Sequence, residues 1–315
     1  MKPTRKTYWH LGATRRLPSD YDIATSRLLY YVDRGGFAVD LPTSAFYDRH
    51  QRGSLLRSDR WDDLTDPRGT TYTKYIDLAC EREAYVGRLL ASIEASDYDR
   101  GLAEDWTETL AVTLSPFRFL GHGLQMAAAY LGQMAPSGRI AVAALFQCGD
   151  EIRRIQRIAY RLAQLARRRP EIAAEGRALW QADARWQPLR WAVERLLVTY
   201  DWGEAFVALN ACLKPMVDDL FLRDLAARAE RVHDHLDAQI LGSLFEDAEW
   251  QRSWTAELLA LAEMSAPENS AIIARWTRSW RPLVEAALQA ASELVGAEPH
   301  PASRQPTPQG DVANG

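Results

Sequence analysis

Cysteine is scarce in this 315-residue sequence: Cys80, Cys148 and Cys212 are the whole complement. They are odd in number, widely separated and set in apolar helical stretches, so no disulfide framework and no zinc or iron–sulfur spacing can be read from them. Such usage suits a reducing compartment. No run of about 18 apolar residues occurs, which argues against a membrane span. The opening MKPTRKTYWH lacks the apolar stretch of an export signal. The expected location is therefore cytoplasmic, with no membrane partner. Excess positive charge is also lacking: 38 Lys and Arg stand against 42 Asp and Glu, a net charge of −4. Nucleic acid is thereby disfavoured as a partner. No Ser/His/Asp or Cys/His nucleophile spacing can be argued, and no repeat of solenoid period is found. What the chain has in surplus is aromatic residues, eleven Trp and twelve Tyr among 47% hydrophobic residues. These serve a large core or a large interface.

Residues 1 to 70 show no sustained 3.6-residue period and little that reads as helix. RLLYYVDRGGFAVDL places two β-prone runs around Asp33, Arg34, Gly35 and Gly36, a plausible hairpin. The segment carries Tyr8, Trp9, Tyr21, Tyr30, Tyr31, Phe46, Tyr47 and Trp61 without a core of its own. It reads as an extended arm that either packs back on its own body or clasps a partner chain, and those eight aromatics are the candidate interface. From residue 71 to 296 the pattern is helical. Expected helices are 72–95, 100–134, 138–168, 171–181, 187–212, 215–230, 234–264 and 268–295, with stops at MAPSG, RRRPE, WQP, Pro215 and SAPENS. Helices of about 30 residues joined by a short loop run antiparallel, which is bundle architecture. The tail, 297–315, lacks apolar periodicity and is expected to be disordered.

Within 138–168, Cys148, Ile152, Ile155, Ala159 and Leu162 recur at helical spacing, and Glu151 falls inside that stripe. A carboxylate aimed at a core invites a metal reading. Carboxylate-bridged di-iron bundles use Glu-x-x-His on two helices and one Glu from each of the other two. Here the residue three beyond Glu151 is Arg154. The spacing recurs at Glu249 and Arg252, where Arg252 shares a face with Leu241, Phe245, Ala248, Ala256 and Leu259. A guanidinium stays protonated and offers no lone pair, so it cannot replace an imidazole as a ligand. Reflecting Glu151 across the 134–138 loop reaches Gly121, and reflecting Glu249 across a turn near 232 reaches Pro215, with His122, Asp218 and Asp219 within a helical turn. Gly121, Glu151, Arg154, Glu249 and Arg252 therefore read as the positions of a vacated metal site refilled by Glu–Arg contacts. The alternative is two surface ion pairs of matching spacing. Glu230, His233 and His235 form one true Glu-x-x-His, but it lies in an expected turn with no second copy.

The ordered set SDYDIATSRLLYY, DPRGTTYTKY, SPFRFLGHGLQMAAAY, DWGEAFVALN, LKPM and WRPL resembles the beta (small hydroxylase) subunit of bacterial multicomponent di-iron monooxygenases, in the toluene, alkene and isoprene group. The resemblance spans roughly residues 7 to 290. It implies an all-α, ferritin-like (ribonucleotide-reductase-like) helical domain homologous to the catalytic alpha subunit but without its iron. It further implies a dimer of alpha-beta-gamma protomers, served by an effector (coupling) protein and a ferredoxin or reductase. The di-iron centre would then sit in alpha, with no cofactor and no catalytic residue in this chain. The expected role is non-catalytic support of an enzyme that inserts oxygen from O2 into small aromatic or alkene hydrocarbons. Two other readings stay open. One is a self-sufficient di-iron or di-manganese oxidase using His122, Glu151, Glu204 and Glu249; the other is a helical adaptor unrelated to oxidation.

Overall fold

The computed structural model describes residues 19, 21, 42–94, 96–170, 172 and 175–296. Among them all regular structure is helical and no strand occurs, as the sequence pattern predicts. The proposed hairpin at residues 33–36 and the tail beyond 296 lie outside the described residues.

A short helix α1, Pro42–Tyr47, runs into a π turn at Asp48–Arg52, and a loop with one 3-10 turn leads to α2, Tyr72–Glu94. The bundle proper begins with α3, Glu104–Met134, and α4, Gly138–Ala166. Ser137 caps α4 by accepting from the Arg139 amide. Pro116 sits inside α3, where it cannot donate to the carbonyl four residues back. That carbonyl, of Val112, accepts the Trp186 indole N–H at 3.0 Å instead, so the break is satisfied from the turn that precedes residue 187. Two short helices follow, α5 at Gly176–Ala182 and α6 at Gln187–Leu197.

The next helix differs from expectation. The sequence predicts one helix through 187–212 and a stop at Pro215. Instead α6 ends at Leu197, Asp201 caps a new start through the Glu204 amide, and α7 continues over 202–231 straight through Pro215. Two π segments, Val207–Leu213 and Asp219–Asp224, interrupt its α geometry. A π turn bonds i to i+5 and widens the coil. Pro215 enters directly after the first such turn, where the ordinary ladder is already broken. The fold closes with α8, His235–Ser265, and α9, Pro267–Val295, which ends on Gly296 in the left-handed region at φ 61°.

Most of the described tryptophans serve the core, Trp191 being exposed. Trp106, Trp186, Trp202, Trp254 and Trp280 are fully buried, Trp186 stacking on Phe221 at 5.2 Å and Trp254 packing on Phe206 at 5.6 Å. Part of the N-terminal arm also belongs to the bundle. Trp61 is buried edge-on against Trp202 at 5.3 Å, and the Tyr21 hydroxyl accepts from the Asp66 amide with Arg139 over its ring. Phe46 meets Tyr200 at 5.7 Å, and the Tyr47 hydroxyl reaches the Gln133 carbonyl. For Tyr21 and Trp61 the interface expectation is thus corrected, both being buried by their own chain, whereas Phe46 and Tyr47 are half-buried against it. Tyr8, Trp9, Tyr30 and Tyr31 lie outside the described residues. Polar clasps hold the 54–58 stretch, Ser54 to Asp201 at 2.7 Å and Ser58 to Ser265 at 2.7 Å. None of the described helices is long and apolar enough to cross a membrane.

Candidate functional site: a buried charge quartet

The inner face of α4 is not the apolar stripe expected from Ile152 and Ala159, both of which are exposed. It is rotated by one residue and carries Gln147, Glu151, Arg154, Ile158, Arg161 and Leu165, all buried. Long polar side chains at i, i+4, i+7 and i+14 hid it from a pattern that counts only apolar residues.

At its centre Glu151 is 0% and Arg154 is 1% exposed. One guanidinium nitrogen, Nη1, reaches Glu151 Oε2 at 3.0 Å and Asp218 Oδ1 of α7 at 2.9 Å. Lys214, one turn before Asp218 and also buried, places its Nζ 2.5 Å from Glu151 Oε1 and 3.0 Å from Asp218 Oδ1. Two carboxylates and two cations close a ring of zero net charge. Burial would raise the Asp218 carboxyl, but Lys214 and Arg154 outweigh it and hold that carboxyl below the usual range. Desolvation works against the Arg154 charge, and Glu151 and Asp218 more than restore it. Lys214 and Asp218 occupy the short α stretch between the two π segments, so the irregular helix of α7 is what brings both into the ring.

Around the quartet the polar layer continues. Asp150 accepts from the Tyr75 hydroxyl at 3.0 Å and the Gln251 amide at 3.1 Å, and burial pushes its carboxyl up to about 6. Gln147 and Asn210 exchange two hydrogen bonds. Farther along α4, Arg161 is paired side-on with Asp237 at 2.9 Å.

The second Glu–Arg motif is corrected. Glu249 is exposed, and Arg252 turns away from it to Asp219 Oδ1 at 2.6 Å and the Pro215 carbonyl at 3.1 Å, with Phe245 under its guanidinium. The face inferred from Leu241, Phe245 and Arg252 is a flank of α8. Its buried centre runs through Leu244, Asp247, Gln251, Trp254 and Leu258, where polar residues again broke the apolar count. The reflection that paired Glu249 with Pro215 misses by less than a turn, since Arg252 is the residue that meets that carbonyl. Gly121 brings no ligand: a Cβ there would lie 2.7 Å from Ile155 Cγ1, so this glycine lets α3 and α4 approach. The alternative ligand set is dispersed. His122 and Glu249 are exposed, and Glu204 accepts from the Trp280 indole at 3.2 Å. Glu230 and His235 form an exposed pair at 2.8 Å beside His233, whose φ is 63°.

Lys214 is the member of the ring that sequence reasoning missed. One signal was available. Lysine occurs four times in the chain, and Lys214 is the one embedded in an apolar stretch, with Asp218 a single turn on. A pair of metal ions does not fit these residues. Glu151 and Asp218 are bridged by an ammonium and a guanidinium, neither of which has a lone pair to give, and both of which repel a dication.

Residues 43–264 match the family described as methane/phenol/alkene hydroxylase. The beta subunit of the hydroxylase component of the toluene-4-monooxygenase system of Ectopseudomonas mendocina is 34% identical over 307 residues, 96% of this chain and 93% of that protein. The small subunit of the hydroxylase component of propane 2-monooxygenase from Gordonia sp. (strain TY-5) is 30% identical over 155 residues, 47% of this chain and 42% of that one. Among solved structures, toluene 4-monooxygenase with toluene in its resting active site aligns with a TM-score of 0.85 at 33% identity, covering 91% of this chain and 96% of that chain. Phenol hydroxylase from Pseudomonas sp. OX1 aligns with a TM-score of 0.79 at 19% identity over 88% and 84% of the two chains, a likeness of fold.

Proposed function

The chain belongs to the methane/phenol/alkene hydroxylase family, and from that membership we propose that it is the non-catalytic beta subunit of a multicomponent di-iron monooxygenase acting on small aromatic or alkene hydrocarbons. The observation that carries the non-catalytic reading is the quartet. Glu151, Arg154, Lys214 and Asp218 pair with one another at the centre of the bundle, both carboxylates bridged by cations, and leave no ligand set for a metal. On this reading they stand in a vacated metal site, and the di-iron centre belongs to the alpha subunit. A gamma subunit, an effector protein and a ferredoxin or reductase drawing on NAD(P)H complete the system.

The role left to this chain is mechanical. Metal ligands tolerate little displacement, so the helices that bear them need rigid support. A bundle with five fully buried tryptophans and a cross-linked polar centre supplies it. The test is reconstitution with the alpha and gamma subunits. Hydroxylation of toluene is expected only when this chain is included, with the iron retained by alpha. Full turnover by alpha and gamma alone, or two iron atoms per isolated chain purified from iron-replete cells, overturns the proposal.

A further inference from the structure

Helix α2 is fastened differently along its two halves. Over its last turns Val86 and Leu90 are buried, with Leu89 and Ile93 packed on the same core. From residue 72 to 85 no side chain is fully buried. Leu78 and Ala79 are half-buried and line a cavity of about 20 Å³ together with Trp250, and Tyr72 is 69% exposed. One ring anchors this half: Tyr75 stacks on Phe146 at 4.4 Å and donates to Asp150. Apart from a hydrogen bond from the exposed Tyr85 hydroxyl to Gln239 at 3.3 Å, the other polar ties of this half to the bundle are ionic. Glu83 takes Arg153 Nε at 2.8 Å and also pairs with Arg157. Arg82 pairs with Asp247, which in turn accepts from Arg153 at 2.6 Å, and with Glu246 at 3.4 Å.

Such a fastening opens at lower cost than an apolar one. Apolar surface leaving a core is wetted at full penalty, whereas separated ions regain their hydration and lose little on balance. The ties are also unequally shielded. The side chains of Arg82, Glu83 and Glu246 are 19%, 32% and 60% exposed, within reach of salt, while Arg153 and Asp247 are covered by α2 itself.

We propose that residues 72–84 form an ionic latch that opens locally while the bundle stays folded, released as salt screens Glu83 and Arg82. Opening uncovers Arg153, Asp150 and Phe146 on α4, giving the chain a second surface state without unfolding. The idea rests on burial and charge placement alone and is independent of the assignment above.

Hydrogen exchange of the full-length chain, followed by mass spectrometry at low and high sodium chloride, tests it. The screening length falls from about 10 Å at 0.1 M to about 3 Å at 1 M. Amides of 76–84 should exchange roughly tenfold faster at the high salt, while those of α3 and of 86–93 change by less than about twofold. Glu83→Gln should show the fast exchange already at low salt and lose most of the salt response. Glu81→Gln, on the exposed face, should behave as the parent. Exchange of 76–84 as slow as that of α3 at both salts, or a salt response unchanged in Glu83→Gln, overturns the latch.

Discussion

The ammonium of Lys214 lies 2.5 Å from Glu151 Oε1, and through it α7 is joined to α4 at the centre of the bundle. Because Arg154 spans the same two carboxylates, each charge in the ring has two opposite neighbours. Removing any one leaves an odd charge in a dry interior. Lys214→Met is expected to destabilise the chain by roughly 3 to 5 kcal/mol, whereas replacing all four members by apolar residues of similar volume should recover most of that loss. Urea midpoints of the single and fourfold variants measure both effects. A near-neutral Lys214→Met would mean that water reaches the ring.

Gly121 is a test of close packing between α3 and α4. Alanine would gain about 1 kcal/mol of helix propensity, but its Cβ would lie 2.7 Å from Ile155 Cγ1. A β-branched side chain in a helix has little χ1 freedom with which to yield. Gly121→Ala should therefore destabilise by about 1 to 2 kcal/mol net, and adding Ile155→Ala should remove the penalty of the clash. Additive effects in this double-mutant cycle would refute the contact.

Asp150 makes stability depend on pH. Burial raises its folded value to about 6 from an ordinary 3.8, so the folded chain holds the proton more tightly than the unfolded one. The stability it contributes is complete below 3.8 and is lost as pH rises through 6. Over that window parent stability relative to Asp150→Asn should fall by about 3 kcal/mol, from 1.36 kcal/mol per unit. Chemical denaturation of both proteins from pH 4 to 7.5 measures it; a constant difference would show that Asp150 does not titrate in that range.

Tyr8, Trp9, Tyr30 and Tyr31 keep their candidacy as partner contacts. Tyr21 is buried against Asp66 and Arg139, so substitution tests those candidates better than truncation. Replacing Tyr8, Trp9, Tyr30 and Tyr31 by alanine should leave the circular dichroism helical and reduce capture of the alpha subunit at least tenfold, about 1.4 kcal/mol. Undiminished capture would move the interface to the helices.

Helix type and the α3–α4 hairpin were legible because apolar spacing and the MAPSG stop carry them. Side-chain facing was less so. On α4 and α8 the buried centres hold Glu151, Arg154, Arg161, Asp247 and Gln251, and a count of apolar residues slides off such centres onto the flanks. At α7 the error is in backbone chemistry. Proline normally ends a helix, and the stretch from Val198 to Asp201 has neither Gly nor Pro to end one, yet the chain breaks at the second place and runs on through the first. A π turn has no simple residue signature. Its effect on the ring, which placed Lys214 beside Glu151, was invisible for the same reason.

The Asn269 side chain imitates a stretch of backbone. Its amide nitrogen donates to the Arg57 carbonyl at 2.7 Å, and its oxygen accepts from the Arg57 amide at 3.2 Å, across 212 positions of sequence. Gly203 completes that seat, since a Cβ there would lie 2.7 Å from Leu56 Cβ. Docking of residues 54–57 thus requires both the first turn of α7 and the start of α9. During synthesis the segment emerges among the first parts of the chain and must wait for nearly the last. Contacts of such long separation form late, so residues 54–57 of a growing chain stay undocked until the start of α9 has been made, and that interval is where premature association is to be expected.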